Sequence, residues 1–298
     1  MNAEGTTRIR LGIAYDGTDF SGWGRQPELR TVQGTLEDAL ATVFRRHDEP
    51  PRLTVAGRTD AGVHAAGQVA HLDLTPAQLA SLEKARSGDT TTGAAALARR
   101  VNGVLGLESD VVLTASSVAP LGFDARFSAV WRRYEYRIAD ARVTRNPVRR
   151  RFVLTVPSAL DEQAMDTAAS DLIGLHDWAS YCRPREGATT IRTLQEFSWN
   201  REPDGVLVAH VKADAFCHSM VRSLVGACVA VGSAKLAGED LTRLRDAKER
   251  TSEFKVMPAK GLTLVEVGYP ADSDVAARAE QTRARRDVIA LEPGVRLQ

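Results

Sequence analysis

Residues 56 to 65 read AGRTDAGVHA, which sets an Arg and an Asp two apart, a His four beyond the Asp, and glycines on both sides of the carboxylate. Gly57 and Gly62 permit tight turns, and Ala56, Ala61, Ala65 and Ala66 leave space above the backbone, so a bulky group can approach Asp60 closely. On these residues alone, Asp60 is a nucleophile, a general base, a metal ligand, or the acceptor of an Asx turn with Arg58 as its surface partner. Metal binding is the weakest of these. Asp60 and His64 have the spacing of a helical ligand pair, but the glycines oppose a helix and no third ligand stands nearby. A phosphate-cradling loop is excluded, because the chain has neither GxxxxGK[ST] nor GxGxxG.

A second chemical signal is the arginine density between Phe123 and Arg151. Nine arginines (126, 132, 133, 137, 142, 145, 149, 150 and 151) face only Asp124, Glu135 and Asp140 there. Phe127, Trp131, Tyr134 and Tyr136 are interleaved with them, a combination that tracks phosphates while offering faces on which bases stack. A solvated strand edge explains the same charge pattern equally well. Further on, Arg222 stands alone in the apolar run SMVRSLVGACVAVG, where a guanidinium is costly without a carboxylate. Asp60 is the natural partner, and another acid is the alternative.

These residues need elements to position them. Ile9, Leu11, Ile13 and Tyr15 alternate with more polar or small residues and run into Asp16-Gly17, predicting a strand that ends in a turn. Val32, Leu36, Ala39, Leu40, Val43 and Phe44 predict a helix over 32–46. Short strands are expected at 53–56 and 68–74, which makes AGRTDAGVHA their connection. Thr75-Pro76-Ala77-Gln78 opens a helix with a capping box, and SGDTTTG follows as a surface loop. A helix over 94–105 and a strand over 111–118 close a first half. In the second, Arg132, Tyr134, Tyr136 and Ile138 share one strand face. A helix starting at Ser158 carries Met165, Ala168, Ala169, Leu172 and Ile173 and ends at Gly174. Strands at 191–199, 206–216 and 262–269 and a buried helix over 219–232 complete it. Beyond Pro270 the mixed charge predicts a frayed helix or disorder.

Strands with a few amphipathic helices, without regular βαβ alternation, give an α+β class. The expected organisation is 8–118, 119–270 and a charged tail at 271–298. With 43% hydrophobic and 26% charged residues, the 298-residue chain has the core of an ordinary globular protein. No apolar run approaches the roughly 18 residues of a bilayer span, and MNAEGTTRIR lacks a signal peptide's apolar stretch, so no membrane association and a cytoplasmic location are expected. Cys182, Cys217 and Cys228 form an odd count with no CxxC, which suggests neither a disulfide framework nor a thiolate zinc site and fits a reducing compartment.

AGRTDAGVHAAGQV resembles the signature loop of the tRNA pseudouridine synthase A family. The rest follows in order along almost the whole chain: YDGTDFSGW and VQGTLEDAL before it, then FDARFSAVWRRYEYRI, DWASY, AFCHSMVRSLVG and GLTLVEVGYP. Departures are mild, with Gly24 where Gln is common, Ala65 where Gly is common, an insertion at 83–92, and a tail without family motifs. The resemblance implies two RRM-like halves sharing an extended antiparallel sheet flanked by helices and loops. It implies an isomerase that breaks the N-glycosidic bond of uridine, rotates the held uracil and joins its C5 to ribose C1′, with no metal or cofactor. The substrate would be the anticodon stem-loop of tRNA at positions 38 to 40, acted on by a homodimer.

By the same resemblance Asp60 is the catalytic carboxylate, as nucleophile or as the base that removes a ribose proton. Arg58 fills the space left by the everted base or holds its phosphate. Tyr134 stacks on the uracil with its hydroxyl near C5, Arg222 pairs with Asp60, and Leu262 contacts the base. His64 orders the loop, and His218 has no role beyond a possible RNA contact. Two other classes compete. An RNA-binding module would use the same basic segment but needs no carboxylate facing an anionic ligand. A glycosidase-type enzyme needs a paired acid, for which Asp16 or Asp19 are the available residues.

Overall fold

Alternating burial along TRIRLGIAY makes β1 (Thr7–Tyr15), with Ile9, Leu11 and Ile13 wholly enclosed. The computed structural model describes residues 5–83, 93–184 and 189–283. Thr31 caps α1 (Val32–Val43) by accepting from Gly34 N–H, and the apolar face of that helix lies on β1 and its neighbours. β2 (Thr54–Val55) and β3 (His64–Leu74) follow, so His64 and Ala65 at the end of AGRTDAGVHA are already strand. The capping box before α2 (Pro76–Glu83) forms as read: Gln78 N–H donates to Thr75 Oγ1 at 3.2 Å, and Thr75 N–H to Gln78 Oε1 at 2.9 Å. α3 (Gly93–Leu105) and β4 (Val111–Val118) come next, while the expected SGDTTTG loop and the 83–92 insertion lie almost wholly outside the described residues.

The second part runs β5 (Trp131–Ala139), β6 (Leu154–Thr155), α4 (Glu162–Ser170), β7 (Gly174–Asp177), β8 (Ile191–Arg201), β9 (Leu207–Ala213), α5 (Met220–Gly232), α6 (Gly238–Ala247), β10 (Leu262–Gly268) and α7 (Val275–Arg283). All ten strands form one sheet in the order β4-β1-β3-β10-β5-β9-β8-β7, with β2 added on β3 and β6 on β5. A repeat invisible in the sequence appears in this order. β1-α1-β2-β3-α3-β4 pairs as β4-β1-β3-β2, and β5-α4-β8-β9-α5-β10 pairs as β10-β5-β9-β8. Each is a β-α-β-β-α-β unit, the arrangement implied by the RRM-like expectation. The sheet is antiparallel except at two joints, β5–β6 and the seam between the units, where β10 runs parallel to β3 through Thr263↔His64 and Leu264↔Ala65.

Two cores lie against the sheet. One gathers β1, β3, β4, α1 and α3, and the other β5, β8, β9, α4, α5 and α6; Tyr134 touches both. Several boundaries differ from the sequence reading. α4 starts after Asp161, whose carboxylate caps it by accepting from Ala164 N–H at 3.0 Å, and Leu172 and Ile173 fall beyond its end. α6 was not anticipated, since it buries only Leu241 and Leu244 and so has little apolar periodicity. In the described part of the tail, α7 buries Val275 and Ala279, and Val275 O accepts from Ser128 Oγ at 2.8 Å. Cys182 and Cys217, 5.8 Å apart at Cα, are joined as a disulfide, which corrects the expectation of unpaired thiols.

Candidate active site

The loop from Gly57 to Val63 connects β2 to β3 and is held from below by the first turn of the chain. Trp23 N–H donates to Thr59 O at 3.1 Å, Tyr15 Oη lies 2.8 Å from Thr59 Oγ1, and Gln68 Nε2 donates to Gly57 O at 3.0 Å. The backbone passes so close that a Cβ on Gly17 would lie 2.0 Å from Val63 O, and Gly62 turns the chain at φ +76°. This is why the YDGTDFSGW stretch accompanies the Asp60 motif: it is the floor of the loop. His64 orders the loop's exit, with Nδ1 accepting from Gly17 N–H at 3.0 Å and Nε2 donating to Lys260 O at 3.2 Å.

Asp60 is one-third exposed, and two basic side chains from a single segment face it. Arg222 Nε lies 4.0 Å from Oδ2 and His218 Nε2 lies 3.6 Å from Oδ1. Arg222 sits in the first turn of α5, and its Nη2 donates to Ser219 Oγ at 3.1 Å. Ser219 itself adopts φ +65°, a left-handed conformation that a non-glycine residue enters only when its surroundings dictate it. The segment is further fixed by the Cys182–Cys217 disulfide and by Arg183 N–H donating to His218 O at 2.9 Å. The pairing of Arg222 with Asp60 thus follows the sequence reading, whereas His218 was missed; its only signal was its place four residues before Arg222.

Tyr134 is on β5, between Leu264 and Val211 on the neighbouring strands, with the Phe216 ring edge-on at 5.1 Å. Burial pushes its hydroxyl above the ordinary phenol range, and the charge of Asp60 acts in the same direction. Burial likewise pushes Tyr15 up to about 12. Arg58 is exposed and lies across Gly24, whose missing side chain leaves that space; among the described residues no carboxylate pairs with it. Leu262 is 5% exposed in the second core, opposite Tyr136. Asp16 and Asp19, the acids a glycosidase would need, both pair with Arg151 at 3.2 Å. Burial opposes the charge on Asp16, but hydrogen bonds from Thr18 and Arg151 prevail and hold it below the usual carboxylate range, the reverse of what a general acid requires.

The basic segment divides. Arg132 is turned inward, donating to Asp214 O at 2.7 Å, Ala56 O at 2.9 Å and Arg126 O at 3.1 Å. Arg133 pairs with Glu266, Arg137 with Glu135 and Arg149 with Asp204. Arg145 and Arg150 remain exposed without an ion-pair partner among the described residues. With Arg149, Arg151 and Lys260 they line a cavity of about 780 Å³ that reaches Gly62, two residues from Asp60. Next to Arg151 in sequence, Phe152 packs its ring 4.6 Å from that of His64.

Comparison with known proteins identifies the lineage of the chain. A family model described as tRNA pseudouridine synthase matches residues 168–270. The chain is 63% identical over 281 residues to the tRNA pseudouridine synthase A of Leifsonia xyli subsp. xyli, covering 94% of this chain and 98% of the relative. It is 52% identical to the protein of that name from Frankia casuarinae, over 95% of this chain and 97% of the other. For the Mycobacterium leprae protein of that name the identity is 47%, with 96% and 97% covered. Identity at this level over nearly the full length of both chains is decisive: the chain belongs to the tRNA pseudouridine synthase A family.

Proposed function

We propose that this chain isomerises uridine to pseudouridine in the anticodon stem-loop of tRNA, at positions 38 to 40, with Asp60 as the catalytic carboxylate. The observation that carries the reading is the position of Asp60, on a loop cleared of side-chain bulk, between Arg222 and His218 and within electrostatic reach of Tyr134. An RNA-binding surface has no use for a carboxylate facing an anionic ligand. Three routes employ it: attack on ribose C1′, attack on the uracil ring, or removal of a ribose proton. All three need a carboxylate oxygen facing the substrate, and the Arg222 guanidinium lies 4.0 Å from it.

A uridine in a stacked stem is out of reach, so the nucleotide must be everted at a cost of a few kcal/mol. Arg58, exposed in the loop and without an ion-pair partner among the described residues, is suited to occupy the space the base leaves. Tyr134 and Leu262 flank the everted uracil, the first by stacking and the second as an apolar wall. The exposed Arg145, Arg150 and Lys260 hold the RNA backbone leading to the site. Residues 8–118 supply the carboxylate and 119–270 the groups around it, and 271–298 form an appended tail. We further infer a cytoplasmic homodimer in which one subunit grips the tRNA that the other modifies. The test is tritium release from C5-labelled uridine in tRNA. Asp60→Asn is expected to abolish release by about 10⁴-fold or more while tRNA binding persists. Turnover retained in this variant, or no pseudouridine formed by the wild type, refutes the reading.

A further inference from the structure

Of the three cysteines, Cys182 and Cys217 are joined and Cys228 stands apart, buried within α5. Burial pushes the Cys228 thiol up to about 12, so it stays protonated and offers no rival sulfur. The joined pair ties the stretch that follows the Ala179–Tyr181 turn to residues 214–219, which lead from β9 into α5.

That linking stretch places two of the groups around Asp60. His218 follows Cys217 directly, with Nε2 3.6 Å from Asp60 Oδ1, and Arg222 stands in the first turn of α5 with Nε 4.0 Å from Oδ2. Between them Ser219 holds φ +65°, and its Oγ accepts from Arg222 Nη2 at 3.1 Å. A serine stays left-handed only where its surroundings over-determine it. Three constraints do so here: Ser223 N–H donates to Ser219 O at 3.0 Å, Arg183 N–H donates to His218 O at 2.9 Å, and the disulfide holds the residue before His218. The last two both run to Cys182 and its neighbour. Cutting the sulfur bond leaves a hydrogen bond where there was a covalent tie. Ser219 can then relax to the right-handed region, which withdraws the hydroxyl that Arg222 grips and frees the guanidinium to turn from Asp60.

The two sulfurs differ in access, since Cys182 is 2% exposed and Cys217 is partly exposed. A small thiolate RS⁻ therefore attacks Cys217 Sγ. The S–S electron pair leaves with Cys182 Sγ, which takes up a proton. A second thiolate attacks the R-bearing sulfur of the mixed disulfide, releasing RSSR and the Cys217 thiolate, which is protonated in turn. The protein disulfide gains two electrons, two thiols lose them, and the reverse sequence closes the bond. In the cytoplasm, where the chain is inferred to work, disulfides are as a rule transient and redox-sensing.

We propose that the Cys182–Cys217 pair is a redox switch on turnover: the closed disulfide holds Arg222 facing Asp60, and a low-molecular-weight thiol opens it and lowers kcat. The inference rests on the reading that Asp60 and Arg222 serve pseudouridine formation. The test places the whole chain in buffers of reduced and oxidised dithiothreitol at several ratios. Alkylation and mass spectrometry give the disulfide fraction, and tritium release at saturating tRNA gives kcat. As the bond opens, kcat is expected to fall about tenfold along the same curve and to recover on re-oxidation, with tRNA affinity within about twofold. Cys182→Ser and Cys217→Ser should show the reduced kcat in every buffer, and Cys228→Ala should keep the wild-type response. A bond that only stiffens the fold would lower the melting temperature on reduction and leave kcat unchanged. Wild type alone decides the matter should a serine variant fail to fold. A reduced kcat within about twofold of the oxidised one, a response that survives in Cys182→Ser, or oxidised wild type without the disulfide overturns the switch. Its failure is separable from that of the enzyme reading: equal turnover by wild type in both redox states, lost in Asp60→Asn, sinks the switch and upholds the enzyme.

Discussion

Arg132 tests whether the site is assembled from two loops or merely sits between them. Its guanidinium donates to Ala56 O, where the Asp60 loop begins, and to Asp214 O, where the segment carrying His218 and Arg222 begins. Replacing it by Met keeps the stem and removes the fork. Two carbonyls then lose a charged donor in a partly buried place, at about 1–3 kcal/mol each, while removal of the guanidinium recovers part of its own desolvation cost. That desolvation is real, since burial lowers the affinity of Arg132 for its proton. The net loss is about 2–4 kcal/mol, and at roughly 1.6 °C per kcal/mol for a chain of this length the melting temperature falls by about 3–6 °C. The larger effect is on turnover, because a displacement near 1 Å between Asp60 and its partners costs about 10²-fold in kcat. Arg132→Lys keeps the charge but reaches fewer of the carbonyls, so its loss lies between the two. The assays are calorimetry and steady-state tritium release at saturating tRNA. If Arg132→Met instead weakens tRNA binding in a salt-dependent way with kcat and melting unchanged, Arg132 is a phosphate contact and the clamp is wrong.

Two further outcomes follow from the same structure. Burial, reinforced by the charge of Arg8, lowers the His71 pKa from 6.5 to about 4, so between those values the unfolded chain binds a proton that the folded one refuses. Its contribution is complete above pH 6.5 and shrinks as pH falls. Wild type should lose about 2 kcal/mol between pH 6.5 and 5 in urea titrations, and His71→Gln should flatten that slope. Affinity for tRNA should fall steeply with salt, and Arg145→Ala or Arg150→Ala should each reduce the log–log slope by about one without changing kcat. An unaltered slope in both variants would remove the cavity beside Gly62 from the RNA path.

Local signals that a few residues decide among themselves were legible in the sequence. The alternation in β1, the capping box of α2 and the apolar face of α5 each follow from neighbours in the chain, and each appears where the residues require it. The Arg222–Asp60 contact was legible for another reason: a guanidinium inside an apolar helix demands a carboxylate, and the glycine loop presented one. His218 raised no such demand, because a half-exposed histidine is as comfortable in solvent as beside Asp60, and only the tertiary fold brings the two together. The disulfide was hidden in the same way, since 35 residues separate its cysteines and their proximity depends on where the intervening strands and turns carry them. Arg132 was counted with the phosphate-tracking segment although a signal to the contrary was present. It shares a strand face with Tyr134, Tyr136 and Ile138, and a residue on a buried face is the wrong one to meet a phosphate.

The division of the site between the two β-α-β-β-α-β units bears on how the reaction is driven. Asp60 comes from the first unit, while Tyr134, His218 and Arg222 come from the second, so the proposed site lies at their seam. That seam is not a hinge. β3 and β10 are hydrogen-bonded within one continuous sheet, Arg132 ties β5 to Ala56, His64 reaches Lys260, and Arg151 spans Asp16 and Asp19. Tyr134 packs into both cores at once. Opening the units against each other would break all of these contacts together, whereas everting one nucleotide costs a few kcal/mol. The cheaper motion is the substrate's: the enzyme presents a carboxylate whose surroundings are already fixed, and the RNA is what must change shape to meet it.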